Sequence, residues 1–156
     1  MHYKMRDQIR FKIGKEEKNI QEKWIEIPEG TEHIQMMIEM PEEFQYMAFL
    51  FLEDPKKEIR FQKLLGYGQQ NPGIGKSTKD TTIGGVPGEI YPGTWKIGIG
   101  IFTEYVAQKL GEQTGEIVLT VSDRKDVVSD PIGGECWVEN GLHVSEQSYR
   151  WENVFC

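Results

Sequence analysis

Thr94 to Phe102 constrains this chain more than any other stretch. Trp95, Ile97, Ile99 and Ile101 occupy every second position, and Lys96, Gly98, Gly100 and Phe102 lie between them. A period of two is the side-chain period of an extended strand, and four large apolar groups on one side require that side to be buried. Glu116 to Ser122 repeats the pattern, with Ile117, Leu119 and Val121 on one side and Val118, Thr120 and Ser122 on the other. Such bursts, separated by Gly and Pro, predict an all-β chain: a two-sheet antiparallel β-sandwich, jelly-roll or immunoglobulin-like, with at most one short helix.

Further strands follow from the same signals. Trp24 and Glu26 alternate with Ile25 and Ile27 up to Pro28, and Pro28-Glu29-Gly30 turns the chain into Ile34 to Met40, which Pro41 ends. These two segments are expected to be neighbours. Tyr46 to Leu52 is continuously apolar, as expected of a central strand covered on both faces, and Asp54-Pro55 stops it. Asn140-Gly141, between Glu135 to Glu139 and Leu142 to Ser145, fits a two-residue type I′ hairpin, where both central residues need positive φ. Gly66 to Gly93 carries many glycines with Pro72, Pro87 and Pro92, and is expected to cross one end of the sandwich irregularly. Thr103 to Leu110 fits a short helix as well as a loop, with Tyr105, Val106 and Leu110 on one side and Gly111 limiting it.

At 156 residues the chain matches one domain, 1–156, and 38% hydrophobic residues suffice for a core. Lys and Arg number 18 against 25 Asp and Glu, a net charge of −7 and the wrong sign for neutralising phosphates, so no nucleic-acid partner is expected. The longest apolar run, Tyr46 to Leu52, is far short of the roughly 20 residues a membrane helix takes. Met1 to Arg10 is interrupted by charge and lacks the apolar segment of a secretory signal. The expected address is therefore cytoplasmic, without a membrane partner, and Cys136 and Cys156 are expected to be free thiols.

Gly73-Ile74-Gly75-Lys76-Ser77-Thr78 invites comparison with a phosphate-cradling loop, whose backbone N–H groups face the anion. The spacing fails, because the first glycine of that motif would fall at Gln70 and no helical pattern follows Thr78. His2, His33 and His143 lack the spacing of zinc ligands, and Cys136 with His143 would make only two ligands. Asp123, Asp126 and Asp130 could hold a hard cation such as calcium, although they lack the ligand alternation of an EF-hand; the alternative is a solvated acidic loop. The serines carry no Gly-x-Ser-x-Gly elbow, and no cofactor is expected. Among the aromatics, Trp95 belongs to the core, whereas Tyr67 and Tyr91 lie in the Gly/Pro-rich stretch and are the candidates for a loop-end ligand site. Lys56, Lys57, Arg60 and Lys63 read as the solvated charges of an edge strand.

The run from Gly85 to Gly100, with Pro87-Gly88-Glu89-Ile90-Tyr91-Pro92-Gly93-Thr94-Trp95 at its centre, resembles part of the β-sandwich preceding the catalytic part of some PHP-type (polymerase and histidinol phosphatase) metal-dependent phosphoesterases. Leu52-Glu53-Asp54-Pro55 and Glu22 to Gly30 are similar to other parts of that domain, so the resemblance spans roughly Glu22 to Ser122. The family's metal ligands begin with a His-x-His motif in a later barrel, soon after a segment similar to Tyr149-Arg150-Trp151, and this sequence contains no His-x-His. The resemblance thus implies the fold and not the phosphoesterase activity, and no family ligand maps onto a residue here.

The expected function is a non-catalytic accessory or binding domain that positions a catalytic metallohydrolase domain or protein. Two rivals stand beside it: a stand-alone carbohydrate or small-ligand binding module using Tyr67 and Tyr91, and a small metal-dependent hydrolase built on scattered acids, with Asp123, Asp126 and Asp130 as ligands.

Overall fold

The computed structural model describes residues 5–66, 68–124 and 130. Among them the strands are β1 (Arg6–Ile13), β2 (Ile20–Ile27), β3 (Ile34–Met40), β4 (Ala48–Glu53), β5 (Ile59–Leu64), β6 (Gly68–Gln70), β7 (Gly73–Ile74), β8 (Gly93–Ile101) and β9 (Gly115–Ser122). One α-helix, α1 (Thr103–Leu110), lies between β8 and β9. One sheet has the order β1-β9-β3-β6, with β7 also on β3, and the other has the order β2-β8-β4-β5. Every pairing is antiparallel, and the fold is a two-sheet β-sandwich.

The core is the set of residues that the alternation assigns to one face. Trp95, Ile97, Ile99 and Ile101 are buried on β8, as are Ile117, Leu119 and Val121 on β9. Ile9, Phe11 and Ile13 of β1 and Ile34, Met36, Ile38 and Met40 of β3 join β9 on the inner face of their sheet. Ile25, Ile27, Leu50, Leu52 and Phe61 do the same for the sheet opposite. Each of these side chains gains roughly 1.5–3 kcal/mol by leaving water, which makes the alternating pattern decisive for the register.

Several expectations need correction. The segments on either side of Pro28-Glu29-Gly30 are not neighbours: β2 pairs with β8, whereas β3 pairs with β9, β6 and β7 in the other sheet. The connection 28–33 is longer than a two-residue hairpin loop, and it carries the chain across the roughly 10 Å between packed sheets. β4 begins at Ala48, because Tyr46 sits at φ 63° and donates its N–H to Leu65 O at 2.7 Å, so the chain is still turning there. β4 is central but alternates between buried and half-buried residues, with one face covered by the core and the other outward.

The stretch from Gly66 to Gly93 is more regular than expected, since β6 and β7 both pair with β3. Thr103–Leu110 is a helix, yet only Val106 and Leu110 face the core, and Tyr105 is exposed. The predicted hairpin at Asn140-Gly141 and both cysteines lie outside the described residues.

Candidate functional site

The glycines of the Gly73 to Thr78 run serve packing. A Cβ on Gly73 would stand 2.9 Å from Gln35 Oε1 and 3.0 Å from His33 Nε2, and one on Gly75 would stand 2.6 Å from Asp80 Cβ. The backbone donors that a phosphate loop would aim at its ligand are already used: Gly73 N–H donates to Thr82 Oγ1 at 2.8 Å and Gly75 N–H to Thr81 Oγ1 at 3.1 Å. Thr81 and Thr82 are themselves buried. A single 3-10 turn, Thr78–Asp80, follows where a phosphate site needs a helix N-terminus.

Arg60 departs most from its expected role. It lies on edge strand β5, but it is buried and pairs with the buried Asp54, Nη1 to Oδ2 at 3.2 Å. Its Nε donates to Val86 O at 3.0 Å and its Nη1 to Glu89 O at 2.8 Å, while the guanidinium carbon lies 5.4 Å from the Trp95 ring centre. Asp54 Oδ1 in turn accepts the N–H groups of Lys56 and Glu58. Its place in a locally basic cluster grouped Arg60 with solvated lysines; a register shift beside Leu52 and Glu53 falls at Arg60, which turns inward where the Gly/Pro-rich loop supplies carbonyl acceptors.

Tyr91 is part of the same framework. Its carbonyl accepts the Trp95 indole N–H at 2.7 Å, and its half-buried ring lies 4.4 Å from Lys56 Nζ. Its proposed companion Tyr67 lies outside the described residues, as does Asp126. Asp130 exchanges two hydrogen bonds with the Asn71 backbone, at 2.9 and 3.0 Å, and faces Lys63 at 3.8 Å; Asp123 is half-buried just beyond β9. Among the described residues no group of three or more His, Cys, Asp or Glu is placed to hold a metal ion, and no helix is long and apolar enough to cross a membrane.

The surface that stands out is the outer face of the β2-β8-β4-β5 sheet. Cross-strand register aligns Ile20, Gly100, Phe49 and Leu64 in one row and Glu22, Gly98, Phe51 and Gln62 in the next. Trp24, Lys96 and Glu53 form a third. Ile20 is 53% exposed, Trp24 59% and Leu64 43%, while Phe49 and Phe51 are half-buried beside the two glycines. Lys96 Nζ lies 3.1 Å from both Glu22 and Glu53, and these carboxylates raise its pKa above the ordinary 10.5, with Glu53 the larger influence. Thr94 donates a hydrogen bond to Glu26 at the end of the face. Three carboxylates against one ammonium leave the face acidic around an apolar centre.

A groove of about 620 Å³ opens at the Ile20 end of this face, between the start of β2 and α1. Phe102, Thr103, Glu104, Tyr105 and Gln108 form one wall, with Asn19 and Ile20 opposite. Asn19 ties the walls together, its carbonyl accepting Ile101 N–H at 2.7 Å and its Oδ1 accepting the Thr103 hydroxyl at 2.7 Å.

Sequence reasoning missed both surfaces. The available signal was apolar residues on the outward parity of β2, Ile20 and Trp24, together with the glycines Gly98 and Gly100 on the outward parity of β8. A comparison of the sequence with protein-family models and with curated proteins returns no match.

Proposed function

We propose that this chain is a non-catalytic binding domain that docks a protein partner on the outer face of its four-stranded sheet. The observation that carries this is the aligned apolar face itself, with Ile20, Trp24 and Leu64 exposed around Phe49 and Phe51. Contiguous exposed apolar patches with a polar rim mark interaction surfaces, because leaving them in water costs about 25 cal/mol for each Å². Glu22, Glu26 and Glu53 around the patch favour a partner whose own apolar patch has a cationic rim, since opposed charges steer the encounter and set the register.

The resemblance carried by Pro87 to Gly100 supports a catalytic metallohydrolase domain as the partner class. Calorimetric titration of the chain with the isolated catalytic domain of a PHP-type phosphoesterase tests this. Saturable binding is expected, weakened at least about tenfold by Leu64→Glu with an unchanged melting temperature. No heat of binding, or binding indifferent to Leu64→Glu, would overturn this assignment.

A further inference from the structure

We infer that the groove between the start of β2 and α1 is a binding site for a neutral glycan. Two aromatic rings, Phe102 and Tyr105, line it and are 45% and 41% exposed, so hydrophobic groups that a core would normally absorb are held at a concave surface. The face of an aromatic ring carries partial negative charge, and the C–H groups on one side of a pyranose ring carry partial positive charge, so the two stack. A phenol and a phenyl ring on a fixed helix start, Phe102 capping α1 and Tyr105 in its first turn, give such a platform.

The polar groups match the same ligand. Glu104 and Gln108 are four residues apart on α1 and therefore share a helix face, and Asn19, whose Oδ1 accepts the Thr103 hydroxyl, adds its amide N–H groups to the same lining. A carboxylate accepts two hydrogen bonds side by side, and an amide both donates and accepts. Vicinal hydroxyls of a sugar offer that combination. The groove lining holds one carboxylate, Glu104, and Lys109 Nζ stands 5.8 Å from the Tyr105 ring centre beside it, so the site has no net charge to select an anion or a cation. Its volume lies in the range of roughly 300 to 1,000 Å³ typical of ligand sites, and its open form suits a chain end or an internal run of sugar units.

The groove adjoins the protein-docking face through Ile20 and Gly100, but Trp24 and Leu64 do not line it, so variants at those two positions tell the sites apart. The test is calorimetric titration of the full 156-residue chain with cellohexaose, maltohexaose, xylohexaose, mannohexaose and chitohexaose, and with tetramethylammonium as a cationic probe. At least one oligosaccharide should bind, and Tyr105→Ala should weaken that binding by about tenfold or more. Gln108→Ala provides a second variant on an exposed position should Tyr105→Ala disturb the fold, and Trp24→Ala should leave sugar affinity unchanged. The assignment is overturned if none of the oligosaccharides binds, if binding survives both groove variants, or if tetramethylammonium binds while the sugars do not.

Discussion

The ring of Phe51 lies across Gly98, so closely that a Cβ on Gly98 would stand 2.0 Å from Phe51 Cζ. The two are cross-strand partners on β4 and β8, and the missing side chain makes the trough in which the phenyl ring rests. Gly98→Ala should therefore destabilise the fold by about 1–2 kcal/mol, the ring's displacement outweighing the better strand propensity of alanine. In a Phe51→Ala background the same change should be neutral or stabilising. Urea denaturation of the four proteins closes the cycle, and equal effects of Gly98→Ala in both backgrounds would refute the contact's role.

Arg60 and Asp54 bind the Gly/Pro-rich loop to the β4–β5 turn through a buried pair. Removing one partner strands the other charge in the interior, so Arg60→Met and Asp54→Leu should each cost about 3–5 kcal/mol. The double variant should be less destabilised than the sum of the two. Additive losses in chemical denaturation would show that the pair is not a unit.

Lys96 should make a small part of the fold's stability sensitive to alkaline pH. Hydrogen bonds to Glu53 and Glu22 raise its folded pKa above 10.5, so the ammonium's stabilising contribution is fully present below pH 10.5 and is lost as pH rises through the folded value. The stability difference between the wild type and Lys96→Met, measured by urea denaturation from neutral pH upward, should be flat up to about 10.5 and shrink above it. A difference that grows with pH would contradict the arrangement.

Thr81 is a buried hydroxyl that accepts Gly75 N–H at 3.1 Å and donates to Ser77 O at 2.8 Å. Thr81→Val keeps the shape and leaves both backbone groups without that partner, at a cost of about 1–3 kcal/mol. Hydrogen exchange should report faster exchange at Gly75 in the variant; unchanged protection there would count against this anchoring.

Two tryptophans should respond in opposite ways. Trp95 is fully buried, and Trp95→Ala should cost about 3–5 kcal/mol; Trp24 is largely exposed, and Trp24→Ala should stay within about 0.5 kcal/mol of the wild type. A large loss for Trp24→Ala by thermal denaturation would mean that the outer face is part of the folding core and not a surface for a partner.

The buried faces of β8 and β9 were legible because burial acts at every second position, and Trp95 to Ile101 and Ile117 to Val121 state that requirement locally, whereas β1, with Ile9, Phe11 and Ile13 in the same alternation, went unassigned. Which strands pair was not legible, because β2 and β3 are contiguous in sequence yet lie in different sheets, and only the competition among all strands for edges decides it. Arg60 was misread for a related reason: its acceptors, Val86 O and Glu89 O, are backbone groups that no side-chain pattern announces. The outer face and the α1 groove arise where residues from β2, β4, β5, β8 and α1 converge. By itself the sequence determined the sandwich class and the buried faces of β8 and β9, since alternation is a property of neighbouring residues. The sheet partners, the buried ion pair and the two exposed surfaces were decided only by the tertiary structure, because each depends on groups brought together from distant parts of the chain.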